Sequence, residues 1–191
     1  MDNKILNVAV IEGTTRPKRM SIHAARLIAQ VGDGLDGVKT QLVDPIDFSF
    51  PGDGNDEGGK DSNYTEITKK ADAFFIVVPE YNHAYPGSLK RMLDSELKNY
   101  IHKPVAFAGV SSGQWGGVRA IENLIPVVRE IGMVVTFADI QFPNIGGIFN
   151  DAGELQDERY INRIKRTYVE LVWMARVLKW GRQNLENKHH K

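Results

Sequence analysis

Five short apolar runs recur along the chain, spaced widely enough to leave room for a helix between them: Ile5–Ile11, Val38–Val43, Ala73–Val78, Val105–Val110 and Met133–Phe137. The third, Ala73-Phe74-Phe75-Ile76-Val77-Val78, is apolar without a break. A strand with one wet face alternates, whereas an unbroken run marks a strand covered on both faces, as in a parallel sheet. The intervals carry helical spacing instead. Apolar residues fall at Ile22, Ala25, Ile28 and Ala29, at Leu89, Met92, Leu93 and Leu97, and at Ile121, Leu124, Ile125, Val128 and Ile131. The longest such pattern runs from about Leu155 to Trp180 through Ile161, Ile164, Tyr168, Leu171, Val172, Ala175 and Leu178, with Gly181 as its predicted stop.

Strands alternating with helices predict an α/β fold, a doubly wound parallel sheet between two helical layers. Five strands in 191 residues fit the flavodoxin-like order 2-1-3-4-5 better than a six-stranded dinucleotide fold. A single domain over 1–191 is expected, with a polar tail from about 183 whose last residues, Asn187 to Lys191, fray and include solvated His189 and His190. Between Pro51 and Asp61 the chain is rich in glycine and charge, which reads as a mobile loop, either a linker or an adaptable rim to a site.

Composition narrows the function. Lys and Arg together number 24 and so do Asp and Glu, so the chain lacks the basic excess of a nucleic-acid or membrane-surface binder. The absence of cysteine removes disulfides, thiolate nucleophiles and Cys-ligated metals. No run approaches the roughly 20 apolar residues of a membrane span, and a cytoplasmic location is expected.

The candidate chemistry sits where strands end. After the first strand, Gly13 permits a turn, Thr14, Thr15 and Ser21 offer hydroxyls, and Arg16 can make charge-assisted bonds to an anion at the start of the next helix. A plain basic strand-to-helix turn is the other reading. Neither the Walker A pattern nor G-x-G-x-x-G fits there. After the third strand come Pro79, Glu80, Tyr81, Asn82 and His83, then Pro86 and Gly87, a stiff loop suited to presenting backbone amides to a planar polar ring. His83 reads as a proton donor or as a residue that steadies the loop. After the fourth strand, Ser111, Gly113, Gly116 and Gly117 permit close backbone approach, and G-x-S-x-G is absent.

Taken together, Gly13-Thr14-Thr15-Arg16 with Ser21, Pro79–His83 with Pro86–Lys90, and Ser111 with Gly113, Gly116 and Gly117 resemble the NADPH-dependent FMN reductase family over about residues 5–140. The resemblance implies a flavodoxin-like flavoprotein that passes hydride from NADPH or NADH through FMN to a small-molecule acceptor: flavin, quinone, azo or nitro compound, or metal ion. It implies a homodimer or homotetramer. It places the FMN phosphate on the first loop, at Thr14, Arg16 and Ser21, the isoalloxazine against Pro79, Glu80, Tyr81, Asn82 and His83, and Ser111, Gly113 and Gly116 at the ring's border. No side chain is expected to be indispensable as acid or base, and no metal is expected. The rival reading is a flavodoxin-like electron carrier without NAD(P)H activity.

Overall fold

The computed structural model describes residues 5–188, so the first four residues and the paired histidines His189 and His190 lie outside the described residues. In chain order the elements are β1 (Leu6–Glu12), α1 (Ser21–Asp33), β2 (Val38–Val43), α2 (Ser62–Lys70), β3 (Ala73–Pro79), α3 (Gly87–Asp94), β4 (Pro104–Val110), α4 (Val118–Glu130), β5 (Val134–Val135), β6 (Ile140–Phe142), α5 (Ile145–Ile148) and α6 (Arg159–Asn184). The strands lie in the order β2-β1-β3-β4-β5 and every pairing is parallel.

The unbroken apolar run of β3 is explained by what covers it. Phe75 and Val77 enter a core shared with Ala24, Ala25 and Ile28 of α1 and Ile164, Tyr168 and Leu171 of α6. Phe74, Ile76 and Val78 enter a second core on the other face, with Tyr64 of α2, Leu89 and Met92 of α3 and Leu124 of α4. Side chains alternate along a strand, so each face receives every second residue and both must be apolar.

The fifth run differs from its expected form. It is one sheet position filled by two pieces: β5 pairs with Pro104 and Val105, and β6, absent from the sequence reading, pairs with Ala108, Gly109 and Val110. Between them Thr136 ties itself to Val105 O through its N–H at 3.0 Å and its hydroxyl at 3.2 Å. The chain then swings outward, leaving Phe137 86% exposed.

Other expectations are also corrected. Helix α2 was not anticipated because it buries only Tyr64 and Thr68; it is started by Asp61, whose carboxylate accepts the Asn63 and Tyr64 N–H groups at 2.9 and 3.2 Å. Helix α6 runs through Gly181 to Asn184, so Gly181 is not its stop. Asn187, the first residue expected to fray, brings its side-chain amide to 3.2 Å from His102 Nδ1. Residues 51–61 are also held: the Arg91 guanidinium donates to the carbonyls of Pro51, Gly54 and Gly59 at 2.8, 2.8 and 2.6 Å, while lying 5.9 Å from the Phe50 ring centroid. Leu89, Met92 and Leu93 of α3 are fully buried in the second core, whereas Leu97 just beyond the helix is exposed. Large exposed apolar side chains also lie along α6, at Val169, Trp173, Val177 and Trp180. Among the described residues no helix is long and apolar enough to cross a membrane.

Candidate functional site

Loops that follow parallel strands leave the sheet at one edge, and ligands of such sheets bind where the strand order reverses. Here the reversal falls between β1 and β3, the two strands that precede the first two candidate loops. The loops meet there. Thr14 Oγ1 lies 2.9 Å from the Tyr81 hydroxyl, and the Ser88 hydroxyl donates to Gly13 O at 3.4 Å. The end of β4, from which the third loop leaves, is joined through the backbone, with Glu80 N–H donating to Val110 O at 2.9 Å.

In the first loop Gly13 is required by packing. A Cβ there would stand 2.5 Å from Val77 O, so the glycine lets the loop lie flat against β3. Thr15, Arg16 and Lys18 are exposed at its rim, and Thr14 is buried beneath them. Arg16 leans over Tyr81, its guanidinium carbon 5.9 Å from the ring centroid, and no carboxylate among the described residues pairs with it. The rim is therefore cationic.

Ser21 leaves this set. Its side chain is 3% exposed, and its hydroxyl donates to Glu12 Oε1 at 2.5 Å, turned into the protein and away from the rim. Glu12, one residue past the expected strand end at Ile11, is fully buried at the end of β1. Arg19 Nε stands 3.9 Å from the same Oε1, and Arg19 is itself paired to Asp44. Glu12 Oε2 has no hydrogen-bond partner. Burial pushes the Glu12 carboxyl up to about 8, against the smaller opposing pulls of the Ser21 hydroxyl and the Arg19 charge.

That shift fixes a sign. An unfolded glutamate titrates near the ordinary ~4.3, so between there and about 8 the folded chain keeps a proton that the unfolded chain has lost. Stability contributed by this group is present below that window and falls as pH rises through it. Glu12→Gln keeps the shape and stays neutral. Denaturant unfolding from pH 5 to 8 should show wild-type stability declining more steeply than that of the variant, by up to about 1.4 kcal/mol per pH unit. Equal slopes would mean that Glu12 is ionised in the fold.

The second loop is a tight hairpin. Tyr81 and Ala84 exchange backbone hydrogen bonds at 2.8 and 2.9 Å, and the two residues between them, Asn82 and His83, have φ of +50° and +67°. Two consecutive left-handed residues make the turn that closes such hairpins, and asparagine tolerates that region better than most residues. Arg119 from α4 braces the hairpin: it pairs with Glu80, whose side chain is 6% exposed, and donates to His83 Nε2 at 2.8 Å. A guanidinium only donates, so that nitrogen is the acceptor. Asn123 holds the His83 carbonyl at 3.0 Å. These contacts give His83 the part of a loop-steadying residue. Arg119, 36 positions away in sequence, carried no local signal.

The third loop is internally satisfied. The Ser111 hydroxyl donates to Gly113 O at 2.7 Å and accepts Gly116 N–H at 2.9 Å. Gly116 and Gly117 have φ of +60° and +79°, and a Cβ on Gly116 would approach Gln141 Cβ to 2.7 Å, so this glycine fits the loop against β6. Trp115 is 58% exposed above it, with the Arg119 guanidinium 5.9 Å from its ring. A groove of about 450 Å³ lies elsewhere, between residues 137–139 and α6, and none of the three loops lines it. Among the described residues no group of three or more histidines and carboxylates is placed to hold a metal.

Comparison with known proteins bears on what this edge holds. The family model described as NADPH-dependent FMN reductase matches residues 6–145, a span that includes all three loops. An NADPH azoreductase of Bacillus sp. (strain OY1-2) is 30% identical over 124 residues, covering 62% of this chain and 66% of that protein. A quinone reductase of Pseudomonas putida is 26% identical over 168 residues, covering 82% and 88%. Among solved structures, the flavoenzyme NAD(P)H:(acceptor) oxidoreductase FerB from Paracoccus denitrificans superposes with a TM-score of 0.73 at 19% identity, covering 90% of this chain and 98% of that one. A flavodoxin from the domain Archaea superposes with a TM-score of 0.57 at 16% identity. The latter two likenesses concern the fold.

Proposed function

The chain belongs to the NADPH-dependent FMN reductase family, and from that membership we propose that it is an FMN-dependent reductase of quinones and related small acceptors. The enzyme class and its use of FMN and NAD(P)H follow from the family. The choice of acceptor is our reading. It draws on the quinone and azo reductases among the relatives.

The observation that carries the proposal is the junction of the first two loops at the strand-order reversal, where a cationic rim and a stiff hairpin stand side by side. The residues fit a phosphorylated flavin. Thr14, Thr15 and Arg16 would hold its phosphate with the backbone amides of the turn. Pro79 to His83 would face the ring with a backbone fixed by the Tyr81–Ala84 pairing and by Arg119. Ser111 to Gly116 would border it. The chemistry that FMN supplies when bound is acceptance of a hydride and delivery of two electrons to an acceptor. The chain's own part is to fix the ring and leave one face open, so that nicotinamide and acceptor occupy the same place in turn. We further propose that the enzyme acts in the cytoplasm as a homodimer or homotetramer, for which light scattering should return a multiple of 21.4 kDa.

An absorption spectrum of the purified protein tests the reading. Bound flavin should show its visible bands and lose them on anaerobic addition of NADPH, then regain them on addition of a quinone. A flavin that binds but is not bleached by NADPH or NADH would support the electron-carrier reading. A protein that takes up no flavin would end both.

A further inference from the structure

Thr14 Oγ1 lies between two neighbours: it accepts Arg16 N–H at 3.2 Å, and it lies 2.9 Å from the Tyr81 hydroxyl. A hydroxyl has one proton and two lone pairs. Arg16 N–H takes one lone pair. If Thr14 donates to Tyr81, its proton is lost to any ligand. If Tyr81 donates, both lone pairs are filled and the threonine proton has no partner among the described residues.

We propose that Tyr81 is a positioning residue that donates to Thr14 and so leaves the threonine proton directed to an anion in the first loop, the FMN phosphate on the reading above. Two features favour this arrangement. The Arg16 guanidinium stands over the Tyr81 ring, and a cation there draws charge from the phenol and strengthens it as a donor. The tyrosine is also held in place: its backbone is locked to Ala84 across two left-handed residues, so the hydroxyl reaches Thr14 without further ordering. The consequence is a coupling between loops. The hairpin that would face the ring also sets the donor state of the loop that would take the phosphate.

The probe is a pair of flavins, FMN and riboflavin, which share the ring and differ in the phosphate. Tyr81→Phe retains the aromatic ring and removes the hydroxyl. Titration of apoprotein, followed by flavin fluorescence, should show FMN affinity falling about tenfold while riboflavin affinity stays within about twofold. Thr14→Val should produce a similar loss for FMN, and Tyr81→Phe added to it should have little further effect. Equal losses for FMN and riboflavin would overturn the proposal in favour of a plain ring contact. A full second loss in the double variant would overturn it in favour of Tyr81 touching the phosphate itself. These outcomes are separate from failure of the functional reading, in which wild-type apoprotein would bind neither flavin.

Discussion

Gly13→Ala should destabilise the fold by about 3 kcal/mol and weaken FMN binding by one to two orders of magnitude. The single added carbon would stand 2.5 Å from Val77 O, 3.1 Å from Pro79 Cδ and 3.4 Å from Leu89 Cδ2. The first of these is backbone in a strand bonded on both sides, to β1 and to β4, so it cannot yield. The loop must therefore lift. Lifting breaks the Ser88–Gly13 bond and separates Thr14 from Tyr81, so the anion site and the hairpin lose their register together. Denaturant unfolding and FMN titration of the same preparation check both effects. Gly146→Ala is the control, because a Cβ at that helical position meets nothing within 4 Å; its stability should match or slightly exceed wild type. A Gly13→Ala protein as stable as that control would mean that the loop has freedom its packing denies.

The parts of the molecule that could be read from sequence share one property: their cause is local. The continuous run at 73–78 announced a strand covered on both faces, and two separate cores do cover it. Loops that begin with glycine or proline after such runs could be placed at one sheet edge because topology alone puts them there. What was missed depends on partners far away in the chain. Residues 51–61 look mobile by composition, yet Arg91 ties their carbonyls from more than 30 positions downstream. Ser21 looks like a rim hydroxyl, yet Glu12, buried beside it, claims its proton. Helix α2 has only two buried positions, too few for an apolar rhythm, and β6 has three residues, too short for any period.

Arg119 illustrates the same point at the site, and its removal should have the second large effect. Arg119→Met should cost about 2 kcal/mol of stability, because it leaves the Glu80 carboxylate in a nearly closed environment without its countercharge, a loss tempered by the 39% exposure of the arginine side chain. The Glu80 side chain is 6% exposed and its Oε2 already lacks a hydrogen bond, so water offers little compensation. The damage should not stop at stability. Arg119 also holds His83 Nε2 at 2.8 Å and lies against Trp115, so one side chain links the hairpin at 80–84 to the loop at 111–117. The pair of variants Glu80→Gln with Arg119→Met removes charge and countercharge together. It should recover most of the lost stability, since a neutral amide needs no ion partner. It should not recover the FMN affinity, because the hairpin would still lack its brace to α4. Arg119→Lys should fall between, as a single ammonium can pair with Glu80 but cannot also reach His83 and lie flat on the indole. Thermal unfolding and FMN titration across the four proteins separate these effects. If Arg119→Met alone were within about 0.5 kcal/mol of wild type, water would be screening the pair and the brace would have no electrostatic basis.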